Sequence, residues 1–295
     1  MTVLILRCGS QAHELPVPHA TANEHRVADL SEVPSRQELK VMDEEAKRIL
    51  PDDPTPSLDE IAAQPDVRHL GAPGPAPQQV EEPLRVIVVG TDAALSAVLT
   101  RAMRADYLWA EIAFIPAGES AAAKNWGLPT DVESAWSVAL NAPVRPVPLI
   151  RNDAGVAIAG SALITQWVGD GETTAKHNTG EITGEIIVDD AVLLRASTGD
   201  GVYGARLVPM LDAPGIVAAR AVGPLWGAVP KPGFFARFRK QPAPGALDAA
   251  SVLTGRAVQA GGPSLRVVVD GISAKRPVDR VTFYRHLRDL QVVRP

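Results

Sequence analysis

Residues 85–103 read RVIVVGTDAALSAVLTRAM, which is the pattern of one strand, one turn and one helix. The four β-branched residues from Val86 to Val89 are typical of a strand that is covered on both faces, as in a parallel sheet. Gly90 ends this run. Apolar residues then recur at helical spacing, at Leu95, Val98, Leu99, Ala102 and Met103. The stretch therefore predicts a buried strand that passes through a tight turn into an amphipathic helix.

The same alternation continues downstream. Residues 111–115 form a second apolar run, and residues 121–126 have the spacing of a short helix. Thr130 and Glu133 have the spacing of a capping box for a further helix over 131–140. Strands that alternate with helices in this way predict a parallel sheet with crossover helices.

The character of the chain changes near Val144. Beyond it, short alternating apolar runs are separated by Gly and Asp, which predicts a mostly antiparallel β domain. We therefore expect an α/β, nucleotide-binding-like domain over residues 1–143 and a β-sandwich-like domain over residues 144–295. Whether the last strands return to the first domain is left open. The Pro-rich residues 71–83 are expected to be a linker or an exposed loop.

The bulk composition excludes several classes of protein. A chain of 295 residues with 46% hydrophobic residues can bury two cores, and its net charge of −5 lacks the basic excess of a nucleic-acid-binding protein. A single cysteine forms no internal disulfide and favours a reducing compartment. No apolar run approaches the length of about 18 residues that a membrane span needs. We expect a cytoplasmic protein, at most peripheral to a membrane, and the abundance of Ala, Val, Pro and Gly suggests a bacterial gene of high GC content.

The turn at residues 90–94 is the first candidate for chemistry. It leads into a helix N-terminus, whose unpaired N–H groups and partial positive charge suit a phosphate. The alternative is purely local, with Thr91 or Asp92 capping the helix that follows. A second turn, over residues 116–120, lies one crossover later. If the two turns lie side by side, their amides converge on one anion-sized spot.

The two turns together resemble the diacylglycerol kinase catalytic domain, in the superfamily that also holds the NAD kinases. The family has G-G-D-G-T in the first loop, P-x-G-T-x-N in the second, an L-G-I-P-like stretch after it, and V-D-G-E near its C-terminal end. The matching residues are Gly90 and Asp92, Pro116 and Gly118, Gly127-Leu128-Pro129, and Val269-Asp270-Gly271. The resemblance covers roughly residues 84–295 and implies a two-domain lipid-kinase fold. The first 83 residues match poorly, and Cys8-Gly9-Ser10 stands where the family has N-P-x-S-G.

This resemblance implies a set of site residues and cofactors. Asp92 and Asp270 are the implied catalytic carboxylates. The implied nucleotide-binding residues are Gly90, Thr91, Asp92, Pro116, Gly118, Glu119 and Ser120. Asp92 and Glu119 form the candidate metal pair. ATP and Mg²⁺ are the implied cofactors if the protein is active, and none is implied otherwise.

Several family positions carry other residues in this chain. Glycines are replaced at Thr91 and Ala93, a threonine at Ala94, a glutamate at Ala97, and the Thr and Asn of the second loop at Glu119 and Ala121. Ile272 replaces the glutamate after Asp-Gly, the family's candidate base. A Glu119 carboxylate about 4 Å from a phosphate costs about 1 kcal/mol in water and about 4 kcal/mol at an effective dielectric constant of 20. Loss of a general base slows a reaction by a further factor of about 10²–10⁴.

These departures leave two hypotheses of different classes. The first is a divergent lipid-kinase-like protein with weak or no phosphoryl transfer, which binds a ligand or a partner. The alternative is an active ATP-dependent kinase that phosphorylates a lipid hydroxyl. In this case Asp92 and Glu119 hold a Mg²⁺ ion, and the ion bridges the carboxylates and the phosphates that would otherwise repel each other.

A basic segment with several aromatic residues, over residues 226–244, is the candidate surface for binding a partner. Its distinctive residues are Phe234, Phe235, Arg237, Phe238 and Arg239. Aromatic side chains among cations suit a lipid or an anionic membrane surface. The alternative is a surface loop whose Phe side chains pack under the β domain. We expect no nucleic-acid partner, and a homodimer is the remaining partner expectation.

Overall fold

The computed structural model describes residues 1–18, 25–49, 71–78, 80–168, 180–226 and 243–295. The α-helices in these ranges are α1 (Ser10–Glu14), α2 (Lys40–Ile49), α3 (Asp92–Arg104), α4 (Ala121–Trp126) and α5 (Val132–Asn141), and residues Ala249–Ser251 form a 3-10 helix. The strands are β1 (Thr2–Cys8), β2 (His25–Leu30), β3 (Leu84–Gly90), β4 (Glu111–Pro116), β5 (Val144–Val147), β6 (Ile150–Asn152), β7 (Ala157–Ile158), β8 (Ala162–Gln166), β9 (Gly184–Val188), β10 (Ala191–Ala196), β11 (Gly204–Pro209), β12 (Ile216–Ala221), β13 (Leu253–Gly255), β14 (Ala257–Val269), β15 (Ile272–Ser273), β16 (Val278–Arg285) and β17 (Leu290–Val293).

Six strands of the described ranges form the first sheet, in the order β2-β1-β3-β4-β17-β5. Neighbours in this sheet are parallel except for β5, which pairs antiparallel with β17 at one edge. Val86 and Val88 of β3 pack with α2, α3 and α4, whereas Ile87 and Val89 face α1 and α5. A strand covered on both faces needs apolar residues at every position, which explains the continuous run in the sequence.

The second sheet contains eleven strands within the described ranges, and its pairings are antiparallel. The long strand β14 pairs with β8, β9, β15 and β16 and so lies at the centre of the sheet. Phe283 and Ile164 are fully buried in its core. The predicted fold class, a parallel α/β sheet followed by a large antiparallel β part, is confirmed.

Helix α3 ties the two sheets together. The Ser96 hydroxyl donates to the carbonyl oxygen of Ala157 at 2.7 Å, and the Thr100 hydroxyl oxygen accepts from the Ala157 amide at 3.0 Å. Ala157 lies in β7, at the edge of the second sheet, so two hydroxyls one helical turn apart satisfy the backbone of an edge strand. Arg104 adds a hydrogen bond to the Ala154 carbonyl oxygen at 2.9 Å. These contacts hold α3 against the edge of the second sheet.

The start of α5 differs from the sequence expectation. The N-cap is Asp131, whose carboxylate accepts from the Ser134 amide at 2.8 Å, and the predicted capping box of Thr130 and Glu133 is wrong. Thr130 and Asp131 are both acceptable caps, and the helix begins one residue later than the pattern of Thr130 and Glu133 requires.

The basic aromatic residues proposed for lipid contact, Phe234, Phe235, Arg237, Phe238 and Arg239, lie outside the described residues. Within the ranges that the structure does describe, no helix is both long enough and apolar enough to cross a membrane.

Candidate functional site

The two predicted turns meet at one edge of the first sheet. Gly90 at the end of β3 lies opposite Pro116 at the end of β4 in the parallel register, and the Ala117 amide donates to the Gly90 carbonyl oxygen at 2.9 Å. A Cβ atom on Gly90 would lie 3.0 Å from the Cβ atom of Cys8 and 3.2 Å from that of Ala94. The first turn is therefore packed too closely for a larger residue, and the two turns are direct neighbours.

Each polar residue of the first turn caps a different helix. Thr91 is the N-cap of α3, and its hydroxyl oxygen accepts from the Ala94 amide at 3.3 Å. Asp92 opens α3, but its carboxylate reaches across to α4. It accepts hydrogen bonds from the Ser120 hydroxyl and from the amides of Ala121 at 2.8 Å and Ala122 at 3.3 Å. The first amides of α4 are thus satisfied by a carboxylate of this same chain.

Asp270 is the second carboxylate that accepts hydrogen bonds from backbone amides. It follows β14 in a left-handed conformation with φ of 48°. Its carboxylate accepts from three consecutive amides, those of Ala159 at 2.8 Å, Gly160 at 2.7 Å and Ser161 at 2.8 Å. Burial raises the pKa of this carboxyl to about 7, the three amides lower the pKa, and repulsion from Asp92 raises it. Both candidate catalytic carboxylates are therefore hydrogen bonded inside the protein.

Gly160 connects these two carboxylates. A Cβ atom placed there would lie 2.5 Å from an Asp92 carboxylate oxygen and 2.9 Å from the Ala121 Cβ atom, so only glycine fits without movement. The Asn125 side chain donates to the Gly160 carbonyl oxygen at 2.9 Å. The loop between β7 and β8 thus packs closely against Asp92 and against the start of α4.

A cavity of about 380 Å³ opens on one side of this contact, between the two sheets. Its wall includes Ala93 and Ala97 of α3 and Ile272 of β15, three positions where the sequence departs from the kinase pattern. The remaining lining residues are Val33, Pro34, Arg36, Leu39, Ser96, Thr100, Arg101, Arg104, Asn152, Ala154, Val156, Val267, Val269, Ser273 and Ala274. The kinase pattern has glutamates at positions 97 and 272, whereas this chain has Ala97 and Ile272. The wall of the cavity is therefore mostly apolar.

A second cavity, of about 730 Å³, lies beside the second turn. Pro116, Gly118, Glu119 and Ser120 line it together with residues of α1 and α4. None of the residues from Gly90 to Ala94 lines this cavity. The two predicted turns are therefore in contact, but of the predicted nucleotide-binding residues only those of the second turn line this cavity.

The candidate metal pair, Asp92 and Glu119, lies in two different environments. Glu119 is exposed and lines the second cavity, whereas both Asp92 oxygens are engaged by Ser120 and the amides of α4. Among the described residues, no group of three or more His, Cys, Asp or Glu side chains is placed to hold a metal ion. Mg²⁺ is usually bound by one or two carboxylates together with waters and substrate phosphates, and Asp92 would have to give up its hydrogen bonds to serve as such a ligand.

Sequence reasoning missed Gly160, Asn125 and the amides of residues 159–161. The amides of residues 159–161 bind the Asp270 carboxylate, and they lie in a short stretch between two strands that matches no motif. Asn125 of α4 holds this stretch through the Gly160 carbonyl oxygen. The only local signal is a glycine between two apolar runs, which marks a close backbone approach in many proteins.

Replacing Asp92 by alanine is expected to lower the free energy of unfolding by about 2–3 kcal/mol, because it removes charge-assisted hydrogen bonds to the start of α4. Urea denaturation measures this loss. The matched control is Thr91→Ala, which removes one neutral cap in the same turn and should cost about 1 kcal/mol. Equal losses for the two variants would contradict the assignment of Asp92 to α4.

Comparison with solved structures agrees with this architecture. A crystal structure of a diacylglycerol kinase from Bacillus anthracis str. Sterne matches with a TM-score of 0.57 at 11% sequence identity, over 100% of this chain and 96% of that chain. Two further structures from the same organism, assigned to the same kind of kinase, give TM-scores of 0.58 and 0.57 at 11% and 10% identity. No protein-family model and no curated protein sequence matches the chain. The chain has the diacylglycerol-kinase-like fold, and the resemblance seen in its sequence is confirmed at the level of the fold.

Proposed function

We propose that this chain is a lipid-kinase-like protein that does not transfer phosphoryl groups and that binds a ligand in the cavity between its two sheets. The main support is the position of Asp92. Its carboxylate occupies the amides at the start of α4, and these are the donors that a phosphate needs at the second turn. A nucleotide would have to displace an internal carboxylate that is already hydrogen bonded.

The wall of the first cavity supports the same proposal. It contains no carboxylate and no histidine among the described residues, and Ile272 stands where the kinase pattern has its candidate base. The Asp270 carboxylate accepts from three backbone amides, and Asp270 does not line this cavity. A general base must lie within hydrogen-bond reach of the proton that it removes, and this wall offers none.

ATP and Mg²⁺ do not fit the residues at the two turns. The Asp92 oxygens are used, Glu119 faces the other cavity with its negative charge, and Ala93 stands where the kinase pattern has a glycine. Of the two carboxylates at these turns, only Glu119 is then left for Mg²⁺.

Thermal unfolding with ATP, with and without Mg²⁺, tests this proposal. At a hundredfold excess over its dissociation constant, a ligand of the folded state stabilises it by about 2.7 kcal/mol, which raises Tm by several degrees. We expect no shift at millimolar ATP in either condition. A saturable shift that requires Mg²⁺ and is lost in Asp92→Ala would overturn the proposal.

The alternative function is an ATP-dependent lipid kinase, with ATP and Mg²⁺ as cofactors. One observation favours it: the two turns are direct neighbours, as a shared phosphate site requires. Incubation with labelled ATP, Mg²⁺ and a short-chain diacylglycerol distinguishes the two functions. Labelled lipid formed by the wild type and not by Asp270→Asn would establish the kinase.

A further inference from the structure

Most of the polar side chains that line the first cavity already have hydrogen-bond partners within the chain. Six of its polar side chains already hydrogen bond within the chain, namely Ser96, Thr100, Arg101, Arg104, Asn152 and Ser273. Arg101, for example, is paired with Asp43 of α2, and Arg104 donates to backbone carbonyl oxygens. Each of these side chains already has a partner within the chain, so burial of apolar surface is the main attraction that the wall can provide.

Arg36 is different from the other polar residues of this wall. It is exposed, it lines the cavity, and no ion pair or hydrogen bond joins its side chain to another of the described residues. The other two arginines of the wall are engaged within the chain, Arg101 by the Asp43 carboxylate and Arg104 by backbone carbonyl oxygens. A guanidinium in this position suits a carboxylate or a phosphate through paired hydrogen bonds.

The volume limits the size of the occupant. At roughly 30 Å³ for each non-hydrogen atom, similar to the share of one water molecule in the liquid, 380 Å³ holds on the order of twelve such atoms. That is one medium-length alkyl chain with a small headgroup. A lipid with two long chains exceeds this space.

We propose that the cavity between the sheets binds a single-chain amphiphile with an anionic headgroup, with the chain against Ala97 and Ile272 and the headgroup at Arg36. This inference rests on the proposed function, because it takes the same cavity and names the ligand class. The carboxylates that a kinase would carry at positions 97 and 272 would oppose an apolar chain, and their replacement by Ala and Ile permits it.

Isothermal titration calorimetry with sodium decanoate, below its micelle concentration, tests the inference. We expect saturable binding with one site per chain, and Arg36→Gln should weaken it about tenfold, as loss of one charge-assisted hydrogen bond does. Decanol should bind more weakly than decanoate and should be insensitive to Arg36→Gln. Ala97→Glu, which restores the family carboxylate in the wall, should abolish decanoate binding.

The control is Lys124→Gln, which removes an exposed cation from the second cavity and should leave decanoate binding unchanged. Absence of saturable heat, or equal weakening by Arg36→Gln and Lys124→Gln, would overturn the inference. If decanoate fails to bind while ATP and Mg²⁺ also produce no thermal shift, only the ligand class is wrong. If ATP and Mg²⁺ do stabilise the protein, the proposed function itself fails.

Discussion

Replacing Arg85 by methionine should lower the free energy of unfolding by about 3–5 kcal/mol, the cost of breaking a buried ion pair by removing one partner. Arg85 is 6% exposed, and its guanidinium donates to the Glu111 carboxylate on the neighbouring strand at 2.7 Å. It also donates to the carbonyl oxygens of Ala139 at 3.1 Å and Leu140 at 2.7 Å, at the end of α5. The variant leaves a carboxylate and helix carbonyls without their donor.

The matched control for this prediction is Arg7→Met. Arg7 of β1 pairs with Asp29 of β2 across the sheet in the same way that Arg85 of β3 pairs with Glu111 of β4. The Asp29 side chain is 48% exposed, however, and exposed pairs contribute about 0–1 kcal/mol. Urea denaturation of both variants gives the comparison. A loss for Arg85→Met no larger than that for Arg7→Met would show that burial adds nothing to this pair.

The strands and helices near the two turns could be predicted because local patterns determine them. A run of β-branched residues from Val86 to Val89 suits only a strand covered on both faces, and parallel strands place their turns at one edge of the sheet. The partners of a strand are a different matter. β17 lies between β4 and β5, and this placement depends on pairing with residues far away in the chain. No period in residues 290–293 specifies it.

The candidate site shows the same limit. The sequence allowed Thr91 or Asp92 as the cap of α3, and the structure assigns Thr91 to α3 and Asp92 to α4. That division follows from the contact between the turns and from Gly160, which no local rule contains. Likewise, Ala97 and Ile272 are separate substitutions in the sequence. Only the fold shows that they share one wall and make it apolar.

Asp270 should make the protein less stable as the pH rises from about 4 to about 7. Its pKa is raised to about 7 by burial, so the folded state holds a proton that the unfolded state releases at lower pH. The unfolded state then binds fewer protons, and the free energy of unfolding falls with pH until the folded carboxyl also ionises. A shift of about three pKa units corresponds to about 4 kcal/mol. The stabilising contribution is therefore fully present below the ordinary pKa of aspartate and is lost by neutral pH.

Asp270→Asn isolates this contribution because asparagine does not titrate. Its amide nitrogen fits the three amides of residues 159–161 less well than a carboxylate does, which adds a constant loss at every pH. We therefore expect the stability difference between wild type and variant to shrink by about 4 kcal/mol between pH 4 and pH 8, in urea denaturation. The control is Asp248→Asn, since hydrogen bonds from Arg220 and the Ala250 amide lower the pKa of Asp248, and its difference should stay level over this range. A level difference for Asp270 as well, or one that grows with pH, would mean that the three amides outweigh burial and that Asp270 is a fully ionised structural anion.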